Sequence, residues 1–121
     1  MTNRKTILIV CTGNVCRSPM AAGLLQHRLS AAGLSDEYEV RSAGTWAVTG
    51  ARAAVHACLV MAERGIDITD HRAQDISAGA VADAALTLVM TNAHREAIVA
   101  EFPDVCTKTY LLSEMIGKSY D

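Results

Sequence analysis

Cys11 and Arg17 stand six positions apart, a nucleophilic sulfur and a fixed cation, with Thr12, Gly13, Asn14, Val15 and Cys16 between them and Ser18 directly after. That interval suits chemistry on a tetrahedral oxyanion. A loop curling round a central dianion offers its backbone amides as a nest, and a guanidinium fork can close over two of the oxygens. Thiolate is the attacking form of cysteine, and the same amides and cation would steady its charge. Gly13 is expected to let the backbone turn sharply inside the loop. No Gly-Lys-Ser/Thr follows the glycine, so a Walker-type nucleotide loop is excluded.

A cysteine and an arginine at this spacing also occur by chance, and a cysteine at a strand end is commonly buried and inert. The flanking elements decide between the two readings. Residues 5–11 form a short run rich in Ile, Leu and Val that reads as a buried parallel strand. From Arg17 onward Met20, Leu24, Leu25 and Leu29 recur at helical spacing, with Pro19 in the first turn and Gly33 near the end. Strand, glycine loop and helix N-terminus together make an anion site, because ligands of open α/β sheets gather at the carboxyl ends of strands.

Further along, residues 38–43 read as a second strand and residues 51–64 as a helix stopped by Gly65. Residues 67–73 read as irregular or extended, and Ser77 as the cap of a short helical turn. Residues 85–90 are expected as a strand, 92–102 as a helix closed by Pro103, and 105–112 as a last strand. Strands alternating with helices imply right-handed crossovers and a parallel sheet covered on both faces.

The 121 residues suit a single domain spanning 1–121. Half are apolar but only five are aromatic, so Ala, Val, Leu, Ile and Met must build the interior. A formal charge of −2 argues against a nucleic-acid partner bound by bulk electrostatics. No run approaches a membrane span, and residues 1–6 lack the apolar core of a secretory signal, so a cytoplasmic chain without a membrane partner is expected. The four cysteines suit free thiols better than a disulfide scaffold. Their spacing offers one close pair, Cys11 and Cys16, where structural zinc commonly needs two.

The stretch Val10-Cys11-Thr12-Gly13-Asn14-Val15-Cys16-Arg17-Ser18-Pro19-Met20-Ala21 resembles the signature of the low-molecular-weight protein tyrosine phosphatases. The resemblance continues through Arg41-Ser42-Ala43-Gly44-Thr45-Trp46, Gly65-Ile66-Asp67, His71-Arg72-Ala73 and Leu111-Leu112-Ser113. It implies a three-layer α/β sandwich around a four-stranded parallel sheet of order 2-1-3-4. It also implies a cysteine-dependent phosphatase that hydrolyses phosphotyrosine through a phosphocysteine intermediate without cofactor or metal.

By the same resemblance Cys11 is the nucleophile, Arg17 the clamp on the phosphoryl oxygens, and Ser18 the hydrogen-bond partner of the leaving thiolate. Thr12, Gly13, Asn14, Val15 and Cys16 complete the phosphate-binding loop. Asn14 matches a loop-bracing asparagine tied to residues that correspond to Ser42 and His71. Cys16 matches a second loop cysteine that pairs with the nucleophile under oxidation. Trp46 corresponds to an aromatic wall of the substrate cleft, although a core role fits a lone tryptophan nearly as well. Partners would be phosphorylated proteins, with inorganic phosphate or a similar oxyanion in the loop. Without the resemblance His71 would read as a surface or internally satisfied histidine, and His27, His56 and His94 keep that reading. Cys58 and Cys106 read as core thiols.

The family's general acid sits in an Asp-Pro pair beyond the last strand, and this sequence reaches Asp121 without one, so the acid is unassigned and a truncated C-terminus is the expectation. Asp83 and Asp104 have no motif that would give them the role. Three alternatives stay open beside the phosphotyrosine reading. Phosphoarginine hydrolysis is suggested by Thr12, but the phosphoarginine branch places a threonine where Val15 stands. A thiol-linked arsenate reductase would need a relay pair of cysteines, which residues 81–94 lack. A non-catalytic phosphate-binding homologue follows if the acid is truly absent.

Overall fold

The structure is a computed structural model that describes residues 4–117. Strand β1, Lys5–Cys11, is buried from Leu8 to Cys11 on both faces, as its unbroken apolar run requires. Helix α1, Arg17–Ala31, follows with Pro19 in its first turn, and the chain reverses through Gly33 at φ 75°. Strand β2, Tyr38–Gly44, pairs parallel with β1 in a register that sets Gly44 beside Cys11.

Helix α2, Val55–Glu63, gives way to Gly65 at φ 74°. The short α3, Ala78–Asp83, is capped by Ser77, whose hydroxyl accepts from the Ala80 amide at 3.1 Å. Strand β3, Ala84–Val89, leads to helix α4, Asn92–Glu101, and then to the three-residue strand β4, Thr109–Leu111. All four strands are parallel, in the order β2-β1-β3-β4.

Alternation along the strands divides the interior. Leu8 and Val10 of β1, Val89 of β3 and Leu111 of β4 meet Val81 of α3 and Ile98 of α4 in one buried cluster. Helix α1 lies against β1 and β2, and with α2 it borders a second cluster of Ala57, Met61, Ile66 and Ile68, onto which Met20 packs. Among the described residues no helix is long and apolar enough to cross a membrane.

Two expected elements differ. Residues 51–54 are not helical, because their backbone is committed elsewhere: the Ala51 carbonyl accepts from Ala73 at 2.8 Å, the Ala54 amide donates to the Val15 carbonyl at 2.7 Å, and Arg52 bridges Arg72. Tertiary bonds override a good helical composition there. The expected last strand over 105–112 is a 3-10 helix, Pro103–Lys108, before the short β4. Pro103 starts that turn, the Thr109 hydroxyl donates to the Val105 carbonyl at 2.7 Å, and Lys108 Nζ donates to the Ala82 and Ala84 carbonyls. A second 3-10 turn, Leu112–Ile116, follows β4. Residues 118–121, the stretch in which no Asp-Pro pair occurs before Asp121, lie outside the described residues.

Candidate active site

The loop between β1 and α1 has all its carbonyls turned outward. The Cys11 carbonyl accepts from the Thr45 amide at 2.9 Å, Thr12 from Trp46 at 3.0 Å, Gly13 from Val48 at 3.2 Å, and Val15 from Ala54 at 2.7 Å. The Asn14 carbonyl is held by His71 Nε2 at 2.6 Å, and the Cys16 carbonyl by the Met20 amide at 3.2 Å. By contrast, none of the backbone amides of residues 12–18 donates to a protein acceptor among the described residues. Carbonyls bonded outside and amides free inside are the arrangement of an anion nest, here opening on the N-terminus of a fifteen-residue helix.

The sharp turn is made by Asn14 rather than by Gly13. Asn14 is the one non-glycine with positive φ, 59°, among the described residues, whereas Gly13 has no positive φ and room for a Cβ. Asparagine tolerates this left-handed geometry, and its side chain fixes it. Fully buried, Asn14 accepts through Oδ1 from the Gln74 amide at 2.9 Å and donates through Nδ2 to the Ser18 hydroxyl at 2.8 Å and the Ser42 hydroxyl at 3.0 Å. A backbone amide can only donate, so Gln74 determines which end of the Asn14 amide is oxygen.

That assignment carries through to the sulfur. Cys11 is 3% exposed and its Sγ lies 2.9 Å from Ser18 Oγ. Because Asn14 Nδ2 donates to that oxygen, the Ser18 proton is free to point at Sγ, the direction that stabilises a charged sulfur. The Asn14 carbonyl can only accept, so His71 carries its proton on Nε2. Gln74, which the sequence reading missed, also donates through Nε2 to the Ser42 carbonyl at 3.1 Å.

Arg17 is the first residue of α1. It is exposed, with no hydrogen bond or ion pair to its guanidinium among the described residues. Cys16, the N-cap of α1, is exposed as well. Trp46 is 82% exposed, which removes the core alternative for it. Cys106 is likewise exposed rather than a core thiol, and Cys58 is half-buried. Neither Asp83 nor Asp104 hydrogen-bonds to the loop. A cavity of about 450 Å³ between α1, β2 and residues 67–74 reaches Ser42, His71 and Gln74 from behind, but neither Cys11 nor Arg17 lines it. It is therefore separate from the nest.

His94 was read as a bland histidine and is not. It is 5% exposed on α4, and its Nε2 lies 2.8 Å from Thr12 Oγ1. The two residues are 82 positions apart, beyond any local pattern.

Residues 6–121 match the family described as low molecular weight phosphotyrosine protein phosphatase. The chain is 42% identical over 111 residues to a protein-arginine-phosphatase of Geobacillus stearothermophilus, covering 92% of this chain and 71% of that one. It is 46% identical over 111 residues to a Ralstonia solanacearum protein named "Probable low molecular weight protein-tyrosine-phosphatase EpsP", covering 92% and 72%. The crystal structure of the low molecular weight protein tyrosine phosphatase from T. tengcongensis superposes with a TM-score of 0.91 at 37% identity, covering 97% of this chain and 79% of that one.

Proposed function

As the chain belongs to the low-molecular-weight phosphotyrosine protein phosphatase family, we propose that its Cys11 loop hydrolyses phosphotyrosine on proteins through a phosphocysteine intermediate. In the first step Cys11 Sγ attacks phosphorus in line, an S–P bond forms, and the ester oxygen leaves with the bonding pair and takes up a proton. In the second, water attacks the same phosphorus, the S–P bond breaks, and the sulfur departs as thiolate with release of inorganic phosphate. The free amides of residues 12–18 and the Arg17 guanidinium stabilise charge on the phosphoryl oxygens in both steps. Ser18 supports the thiolate, and Asn14, Ser42 and His71 hold the loop in shape. The proton donor to the ester oxygen is not assigned.

The observation that carries this reading is the outward engagement of all six loop carbonyls, which leaves the amides for an anion beside the sulfur. Specificity for an aromatic ester is supported by Val15, which offers an apolar surface and no acceptor for guanidinium N–H groups, and by the exposed Trp46, whose amide is anchored to the loop. The similarity to a protein-arginine-phosphatase motivates phosphoarginine as the second reading. We take the 121 residues to act as one domain. A nucleophile that must stay reduced fits the cytoplasm.

The test is turnover of a phosphotyrosine peptide and a phosphoarginine peptide by the wild type and by Cys11→Ser. Hydrolysis that favours phosphotyrosine and vanishes in Cys11→Ser, with phosphate binding retained, is expected. Activity surviving Cys11→Ser would overturn the mechanism, and preference for phosphoarginine would replace the substrate.

A further inference from the structure

The tautomer of His94 follows from its bonds to Thr91 and Thr12. It occupies the third position of α4, where its Nδ1 accepts the backbone N–H of Thr91 at 3.2 Å while its own amide donates to the Thr91 hydroxyl at 3.2 Å, a reciprocal capping box. Nδ1 facing an N–H must carry a lone pair. The single proton of the neutral ring is then on Nε2, which donates to Thr12 Oγ1 at 2.8 Å. A doubly protonated ring would set Nδ1–H against the Thr91 N–H. A neutral imidazole N–H is far too weak an acid to protonate a leaving oxygen, so His94 orients and does not transfer a proton.

Accepting from His94 leaves the Thr12 hydroxyl its own proton to donate. Thr12 is exposed, directly follows Cys11, and has no second side-chain partner among the described residues. Its β-branched side chain has few rotamers, and the bond to a buried, capped imidazole selects one. We propose that His94 is a positioning residue that holds the Thr12 hydroxyl as a hydrogen-bond donor to an oxygen of the incoming phosphoryl group. The inference deepens the phosphatase reading above and rests on it. It makes α4 part of the phosphate site although no α4 residue lies in the loop.

Two substitutions separate this role from simple capping. In His94→Asn the side-chain amide oxygen replaces the Nδ1 acceptor, so the cap survives while reach to Thr12 is lost. In His94→Gln an amide N–H is placed near the Nε2 position. With p-nitrophenyl phosphate as substrate and inorganic phosphate as competing ligand, His94→Asn and Thr12→Val should each lower kcat/KM and phosphate affinity about tenfold, the scale of one hydrogen bond to a charged group. The double variant should lose no more than either single one, and His94→Gln and Thr12→Ser should recover most of the loss. Wild-type values in His94→Asn or Thr12→Val, or losses that multiply in the double variant, would overturn the proposal.

Nitrogen-15 spectra of the wild type provide an arm independent of how the variants fold. An Nε2–H tautomer near neutral pH supports the inference, and an Nδ1–H tautomer or an imidazolium rejects it. A wild type that binds phosphate but turns over no ester would defeat the hydrolase reading alone, with phosphate affinities in the variants then deciding the role of His94.

Discussion

Gly44, the last residue of β2, lies against the carbonyl of Thr12 so closely that a Cβ on residue 44 would overlap the carbonyl oxygen. The contact is with backbone, which cannot swing aside. The Gly44 amide and carbonyl are also bonded, to Gln74 and Ile76 at 2.9 Å each, so β2 cannot retreat. Glycine here sets how near the strand approaches the anion loop.

Gly44→Ala should therefore cost about 2 kcal/mol or more in urea unfolding and abolish most turnover, because the loop must shift to admit the methyl. Gly79→Ala, in α3 with open space around it, is the control and should raise stability by roughly 0.5–1 kcal/mol. Equal effects at the two positions would reject the steric account.

Ser18→Ala removes the hydroxyl that lies 2.9 Å from Cys11 Sγ. Sulfur is the attacking group in the first step and the departing group in the second, so losing the donor slows its departure most. Steady-state kcat should fall roughly 10- to 100-fold, and quenching should trap phosphocysteine. Unchanged kcat with no trapped intermediate would count against the proposed role of Ser18.

Thr87 sits fully buried in β3 with its hydroxyl unpaired among the described residues. Thr87→Val keeps the shape and removes an unsatisfied polar group, so it should be neutral or stabilise by about 1 kcal/mol, with activity unchanged. Thermal and urea unfolding measure this. A clear loss of stability would mean that the hydroxyl is bonded to something the fold encloses.

Asp67 accepts from the Thr69 hydroxyl at 2.6 Å and the Thr69 amide at 2.8 Å, and these bonds hold its carboxyl below the usual carboxylate range. A depressed folded value adds stability that is complete above the unfolded value and is lost as pH falls through the folded one. Acid titration of wild type and Asp67→Asn should show the wild-type advantage vanishing at the low-pH end. An advantage that persists in strong acid would show that the charge is not its source.

The sequence made the strand, loop and helix around Cys11 legible, because each rests on local spacing: the β-branched run, Pro19 in a first turn, Gly33 and Gly65 as stops. Sheet order followed from the family resemblance and is the order observed; the family resemblance also pointed to Ser42 and His71, and both hydrogen-bond to Asn14. Gln74 and His94 stayed hidden because nothing in their neighbourhoods differs from an ordinary loop or helix, and their partners lie 60 and 82 positions away. The same cause misled the reading of residues 51–54, which are helical by composition but spent on the loop and on Ala73. Gly13 drew attention as the flexible residue, whereas the left-handed turn belongs to an asparagine whose side chain has three partners, two of them the buried Ser18 and Ser42.

The loop is encoded near the start of the chain, yet the partners of five of its six carbonyls lie at residues 45, 46, 48, 54 and 71, and the partner of its threonine at residue 94. On a ribosome, a chain that has emerged only as far as β2 carries the sulfur without the hollow that would receive an anion. The nucleophile is made early, and the bonds that shape its hollow close only once residue 71 is in place, so a stalled or clipped nascent chain carries the reactive residue without its cradle.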